Sequence, residues 1–262
     1  MQDRGLAAYI AELIGTLFLV FVVGTVVSLY LSTNPASQTG SDFAVIGLVH
    51  AFVLFGLIMA FGQVSGGHFN PAVTLAATAM RRIDPVDAVV YVLAQLSGGV
   101  LGALLVKGLL LDEGRATDYG AVGVSPLLGS ASQGAIVEAL GTFLLVLVIC
   151  AVAFNPRARQ EWAPFAIGTT LGFAVMIFGP LTGGSFNPAR WFGPALIGDA
   201  FGSFGDFWPY IVGPLVGAVA AVLVYRFVIA GPQYAEGPEP PTSEARGVGQ
   251  AIKDAEVRAR NK

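Results

Sequence analysis

The stretch Ser65-Gly66-Gly67-His68-Phe69-Asn70-Pro71-Ala72-Val73 occurs a second time, with few changes, as Thr182-Gly183-Gly184-Ser185-Phe186-Asn187-Pro188-Ala189-Arg190. Apolar sequence flanks both copies. Each unpaired backbone group in hydrocarbon costs several kcal/mol, so an irregular loop persists in a membrane only where it is buried in protein or lines a wet cavity. Two such loops, one in each half of the chain, predict a pore built by an internal repeat.

The composition places the chain in a membrane. Hydrophobic residues make up 55% of it and charged residues 12%, whereas a soluble domain has roughly 25% charged residues. The net charge of −3 is too small to indicate a nucleic-acid partner. Two histidines and one cysteine, Cys150 in an apolar segment, do not form a metal-binding pattern. We therefore expect no metal, no cofactor, no nucleic acid and no catalytic residues.

Six apolar segments are long enough to cross a bilayer, which takes roughly 20 residues. Two shorter segments, at about 70–80 and 187–198, follow the repeated loops and would cover about half a membrane at ~1.5 Å per residue. The sequence predicts an all-α membrane protein with six transmembrane helices and two re-entrant half-helices. The predicted spans are 6–32, 43–63, 85–111, 132–154, 162–181 and 208–230.

Shorter motifs support the repeat. Ala11–Thr16 near the start of the first half resembles Val137–Thr142 in the second, and both contain Glu-x-x-Gly-Thr. Gly98 to Gly102 is echoed by Gly213 to Gly217, and this spacing lets helices approach closely.

Three spans in each half force the two halves into opposite orientations, which defines an inverted 3+3 repeat. The predicted repeats cover about 6–111 and 132–230 within a channel domain at 1–230, and a polar tail follows at 231–262.

Basic residues predict the orientation, because cytoplasmic loops carry an excess of Lys and Arg. The loops on the opposite side hold Arg115 among several carboxylates. We expect a multi-pass protein of the cell membrane with both termini, and the tail, in the cytoplasm. The basic residues on the predicted cytoplasmic side are Arg4, Arg81, Arg82, Arg157, Arg159, Arg226, Arg246, Lys253, Arg258, Arg260 and Lys262.

The repeated loop also has the chemistry of a helix start. Asn is a strong N-cap and Pro suits the next position, so Asn70-Pro71-Ala72 and Asn187-Pro188-Ala189 should each begin a half-helix. Opposite orientations would bring the two positive N-termini together near the bilayer centre. Such a site passes neutral dipoles and opposes cations, protons included. A third Asn-Pro-Ala, at Asn34, lacks the preceding glycines and a following apolar segment, and we interpret it as an exterior turn.

These blocks, the two Glu-x-x-Gly-Thr helix starts and the Gly-Pro-x-x-Gly stretch at Gly213 closely resemble the aquaporin family, the major intrinsic proteins. The likeness covers about residues 6–230. It implies a homotetramer in membrane lipid with one pore per subunit, and passive conduction of water or small neutral solutes.

The resemblance also implies a narrow filter of four residues. By their distances from the two motif asparagines, the corresponding positions are His50, Val175, Gly184 and Arg190. Only Arg190 matches the common water-channel set, and the Trp and Phe of glycerol facilitators are missing. The combination is similar to that of certain plant vacuolar aquaporins associated with both water and ammonia. A histidine at this place leaves open a dependence on pH.

Three further residues are expected to brace the loops. The resemblance implies that Glu12 and Glu138 accept hydrogen bonds from the re-entrant backbone, although a proton relay is the alternative. His68, which stands where the other copy has Ser185, should brace its loop by reaching the backbone.

Other functions stay open at this point. A glycerol or small-solute facilitator would share the fold. An ion-coupled secondary transporter could also use inverted repeats and broken helices, but it would need carboxylates exposed to the solute path. A non-conducting junction protein would need no polar pore, so Arg190 with the two asparagine caps argues against it.

Overall fold

The computed structural model describes residues 5–32 and 41–230. Short 3₁₀ turns lie at 118–120 and 160–162, and π-helical turns extend two of the long helices at Cys150–Phe154 and Tyr225–Ala230. The α-helices in chain order are α1 (Gly5–Ser32), α2 (Ser41–Ser65), α3 (Pro71–Ala79), α4 (Pro85–Leu109), α5 (Leu111–Arg115), α6 (Ala131–Ile149), α7 (Ala163–Thr182), α8 (Pro188–Ile197), α9 (Phe204–Phe207) and α10 (Pro209–Val224).

The predicted helical plan is confirmed. Within residues 5–32 and 41–230, six helices are long and apolar enough to cross a membrane, and the half-helices α3 and α8 begin at the prolines of the two loops. The third span ends at Leu109, two residues before the predicted limit. Arg4, the Asn34 motif and the tail from 231 lie outside the described residues.

The helices pack as the inverted repeat requires. Helix α1 packs on α4 and α6 packs on α10, which are equivalent pairs, while α2 and α7 meet across the two halves. Close approach depends on glycine: a Cβ on Gly98 would lie 2.4 Å from the Leu13 carbonyl oxygen, and one on Gly217 would lie 2.2 Å from that of Ala139. Gly98 and Gly217 therefore occupy equivalent positions in the two halves. The sequence motifs predict Gly213 as the equivalent of Gly98, and Gly213 lies one helical turn before Gly217.

The glycines of the two Glu-x-x-Gly-Thr motifs leave room for the rings of the two loop phenylalanines. Phe69 and Phe186 have left-handed backbones, with φ of 49° and 50°, and their rings lie against Gly15 and Gly141. A Cβ on either glycine would come within 2.1 Å of the ring that faces it. A residue with a side chain at either glycine would therefore push the loop away from its helix.

The Glu12 carboxylate lies inside the first loop. Its Oε1 accepts hydrogen bonds from Ser65 Oγ (2.6 Å) and the His68 N–H (3.0 Å). Its Oε2 accepts from the Phe69 N–H and from Gln95 Nε2, both at 2.7 Å. Because Glu12 is fully buried, these four donors replace the hydration that the carboxylate has lost.

Glu138 makes the equivalent contacts in the second loop. Its Oε1 accepts from Thr182 Oγ1 (2.7 Å) and the Ser185 N–H (3.1 Å), and its Oε2 accepts from the Phe186 N–H (2.7 Å). Tyr210 adds a tie by donating to the Thr182 carbonyl at 2.9 Å, as Tyr91 does to the Ser65 carbonyl in the first loop. Each loop is thus fastened to long helices of its own half.

We expect Glu138→Gln and Glu12→Gln to destabilise the fold. An amide has one acceptor oxygen and would turn an N–H towards a loop donor, so at least one buried backbone N–H would lose its partner at a cost of about 1–3 kcal/mol. Thermal unfolding in detergent measures the loss, and Glu113→Gln on an exposed helix is the matched control. Unfolding temperatures equal to that of the control would contradict the bracing of the loops.

Candidate functional site

The two half-helices start with asparagine caps. Asn70 Oδ1 accepts from the Ala72 N–H at 2.9 Å, and Asn187 Oδ1 accepts from the Ala189 N–H at 3.0 Å. The prolines that follow lack an N–H, so they lose nothing in a first turn that has no acceptor for one. The caps therefore orient both side-chain amides at the positive ends of α3 and α8.

Reciprocal hydrogen bonds join the two loops. Asn70 Nδ2 donates to the Phe186 carbonyl at 2.9 Å, and Asn187 Nδ2 donates to the Phe69 carbonyl at 2.8 Å. The helix N-termini therefore meet, as predicted. Each amide has two N–H groups, and the crossed contacts use one of them. One N–H on each asparagine remains for a solute.

A cavity of about 990 Å³ passes the two asparagines. At one end its lining includes Arg81, Arg82 and Glu161, and it also reaches His50 and Arg190. Side chains of α1, α2, α6 and α7 make the rest of the wall mostly apolar. The apolar lining residues on those four helices include Leu19, Val23, Leu54, Ile58, Leu145, Ile149, Ile167 and Leu171.

His50 and Arg190 bring unpaired polar atoms to this cavity. The Nδ1 of His50 lies 2.8 Å from the Ile46 carbonyl oxygen; since a carbonyl only accepts, Nδ1 carries the proton and Nε2 of the neutral ring is an acceptor. Arg190 donates through Nη1 to the Gly120 carbonyl at 2.7 Å. His50 Nε2 and Arg190 Nε and Nη2 are buried without partners among the described residues. One acceptor atom and two donor atoms of these two cavity-lining residues are therefore unpaired among the described residues.

The other two predicted filter residues are placed differently. Val175 is fully buried and packs against Gly184, where a Cβ would lie 3.3 Å from the Val175 Cα. Neither residue is among those that line the cavity. Gly184 belongs to the loop that precedes α8, the helix that carries Arg190, and Val175 packs against this loop. The assignment of both residues to a filter stays a prediction.

His68 lines the cavity as well. Its Nδ1 lies 3.1 Å from Thr74 Oγ1, and a contact of this side chain to the loop backbone stays a prediction. Thr74 also accepts from Gln95 Nε2 (2.9 Å) and donates to the Asn70 carbonyl (3.2 Å). His68 is thus connected to the Glu12 network through two side chains.

Sequence reasoning missed the carbonyl of Gly120. It is the protein acceptor for the Arg190 guanidinium, yet it lies 70 positions earlier in the chain. A backbone acceptor has no residue-type signature, and the one available hint was a glycine in a loop between predicted spans. The sequence therefore predicted the charged group without the group that holds it.

Comparisons with known proteins agree with this geometry. The model of the family described as "Major intrinsic protein" matches residues 2–225. The chain is similar to "Probable aquaporin TIP2-2" of Oryza sativa subsp. japonica, with 39% identity over 227 residues that cover 85% of this chain and 87% of that protein. It is also similar to "Glycerol uptake facilitator protein-like 6" of Lactiplantibacillus plantarum, with 38% identity over 218 residues, 83% of this chain and 96% of the relative.

A solved structure has the same fold. It is described as "X-ray structure of the aquaglyceroporin from Plasmodium falciparum", and it superposes with a TM-score of 0.74 over 86% of this chain and 96% of that one, at 24% identity. The family model covers most of the chain, and the matched part contains both half-helices, both asparagine caps and Arg190. The chain therefore belongs to the major intrinsic protein family, the family that its two repeated loops resemble.

Proposed function

We propose that this protein is a passive channel that conducts water, together with ammonia or other small neutral solutes, and excludes protons and ions. The observation that carries the proposal is the cavity itself: Asn70, Asn187 and Arg190 supply polar groups along a wall that is otherwise mostly apolar. A water molecule that moves along the cavity meets these hydrogen-bond partners one after another. Few other contacts hold it back, which favours fast passage.

Exclusion of protons follows from the same groups. A water molecule that accepts from the remaining N–H groups of Asn70 and Asn187 must point its own hydrogens away from both, which interrupts a chain of proton transfers. The N-termini of α3 and α8 add positive potential at this point, and Arg190 adds a full charge further along. A cation therefore meets an electrostatic barrier at the two asparagines and again at Arg190.

Passive conduction is favoured over ion-coupled transport by the positions of the carboxylates. Glu12 and Glu138 are fully buried and receive four and three hydrogen bonds. In the part of the chain that the structure describes, Glu161 is the carboxylate that lines the cavity, and it lies in the short 160–162 turn. Neither buried carboxylate is presented to a solute path.

Glycerol conduction is the second candidate. His50 replaces the bulkier aromatic residue that the resemblance leads one to expect in a water filter, and one of the relatives is named as a glycerol uptake facilitator. Stopped-flow light scattering of proteoliposomes shocked with glycerol separates the two functions. We expect fast shrinkage from water efflux, followed by a protein-dependent re-swelling that is far slower. Re-swelling at a rate close to that of the shrinkage would assign glycerol transport, and neither phase above protein-free vesicles would overturn the channel.

We further propose a homotetramer in the cell membrane, with both termini and the 231–262 tail in the cytoplasm. The orientation rests on Arg81 and Arg82; Lys107, in the last turn of α4, joins Arg115 on the opposite side. Mass measurement in detergent tests the tetramer, and fractionation with protease protection tests location and orientation.

We expect Arg190→Ala and Asn187→Ala to weaken discrimination more than folding. Loss of the Arg190 charge and bulk should raise the glycerol-to-water permeability ratio by about tenfold, which corresponds to a change of roughly 1.4 kcal/mol in relative barrier. Asn187→Ala removes a donor and should mainly raise ion leak. Arg115→Ala, on an exposed helix, is the control. Unchanged selectivity in well-folded variants would count against the pore.

We expect His50→Phe to narrow the site opposite Arg190 and to favour water over larger solutes. The glycerol-to-water ratio should fall several-fold while water permeability falls less, because a phenyl ring adds volume and removes the Nε2 acceptor. Leu48→Phe, which adds the same ring at an exposed position of α2, is the control. Equal ratios in the His50 variant and the unaltered protein would refute the assignment of His50.

A further inference from the structure

Arg190 is held in place by a segment that does not line the cavity. Its Nη1 donates to the Gly120 carbonyl at 2.7 Å, and among the described residues Nε and Nη2 have no partner. The position of the guanidinium in the cavity therefore depends on where the loop presents this carbonyl.

The carbonyl lies in an unusual turn. Asp118, Tyr119 and Gly120 have φ angles of 46°, 56° and 87°. Side chains disfavour the left-handed region, and two consecutive non-glycine residues adopt it only where the surroundings enforce it. The Asp118 side chain is exposed, whereas Tyr119 is only 5% exposed. Asp118 packs on Gly198 at the end of α8, where a Cβ would lie 2.7 Å from the Asp118 carbonyl oxygen, and Tyr119 supplies the buried side chain of the turn.

The Tyr119 ring is held by residues of α4 and α5. Lys107 Nζ lies 5.2 Å from the ring centroid, within the range of a cation–π contact. On another side, a Cβ on Gly114 would lie 2.6 Å from the ring, so the ring packs directly on the Gly114 backbone. The ring has little room to take another orientation.

The backbone of the turn rests on α1. A Cβ on Gly120 would lie 2.6 Å from the Gly24 Cα, and a Cβ on Gly24 would lie 3.0 Å from the Tyr119 carbonyl oxygen. Thr117, just before the turn, has its hydroxyl 3.0 Å from that of Ser28 in the same helix. The turn is therefore set between α1 and the Tyr119 ring.

We propose that Tyr119 is a positioning residue for Arg190, acting through the left-handed turn that presents the Gly120 carbonyl. Solute selectivity then depends on Tyr119 and Lys107, although neither lines the cavity. This inference rests on the proposed channel function, because it assigns to Tyr119 a part of the discrimination that Arg190 exerts.

The test is a double-mutant cycle on the glycerol-to-water permeability ratio in proteoliposomes. We expect Tyr119→Ala to raise the ratio by about threefold or more, the size expected of a residue that acts through another. Tyr119→Phe keeps the ring and should leave the ratio unchanged. In an Arg190→Ala background, Tyr119→Ala should add nothing, because the group that it positions is gone.

A second variant, Lys107→Met, keeps the proposal testable if Tyr119→Ala does not fold. Lys107 is exposed, so its replacement should leave the unfolding temperature close to that of the unaltered protein. We expect a smaller rise in the ratio that also disappears in the Arg190→Ala background. A purely structural Tyr119 would lower the unfolding temperature without moving the ratio.

Two results would overturn the proposal while the channel function stands. One is an unchanged ratio in folded Tyr119→Ala and Lys107→Met variants when Arg190→Ala raises it. The other is a rise of the same factor with and without Arg190, since Tyr119 would then act independently. Failure of the unaltered protein to accelerate water flux would instead overturn the channel function, and this inference with it.

Discussion

The fold depends on one constraint, which is that backbone hydrogen-bonding groups cannot remain unpaired in the hydrocarbon of a membrane. Two loops interrupt the helices inside the membrane. Each contains residues with left-handed backbones, so regular helical hydrogen bonds cannot pair all of its N–H and carbonyl groups. Glu12 and Glu138 pair the N–H groups of these loops. The asparagines pair the carbonyls of the opposite loop. The polar groups left for the cavity include the remaining N–H groups of the two asparagines and the Arg190 side chain.

The two halves solve the same problem with different side chains. Gln95 follows Tyr91 by four residues and supplies Glu12 with a fourth donor, whereas Pro214 follows Tyr210 at the same distance and supplies none. Thr74 of α3 belongs to a hydrogen-bonded network, but its equivalent in α8 is Trp191, which stacks on Tyr210 at 5.9 Å between ring centroids. The first half-helix is thus held by polar contacts, and the second by aromatic packing as well as its carboxylate.

Much of the architecture could be predicted from the sequence because its signals are local. A membrane-crossing apolar segment is readable within roughly 20 residues, and an Asn-Pro helix start within a few. The contact between Arg190 and the Gly120 carbonyl could not be predicted, since it joins distant parts of the chain and involves the backbone. The left-handed Tyr119 has no sequence signature either. Spacing from Asn70 and Asn187 gives a position in the chain but not the direction in which a side chain points, so the assignment of Val175 and Gly184 to a filter stays a prediction.

The crossed asparagine contacts also set an order for biosynthesis. The Asn70 amide donates to a carbonyl 116 positions later in the chain, and the Asn187 amide donates to one 118 positions earlier. A ribosome adds residues at roughly 5–20 per second, so the first loop exists for many seconds before its partner is made. During that interval its exposed polar groups need water or the translocation machinery. The hydrogen bonds that join the two loops can therefore form only after the second half of the chain has been made.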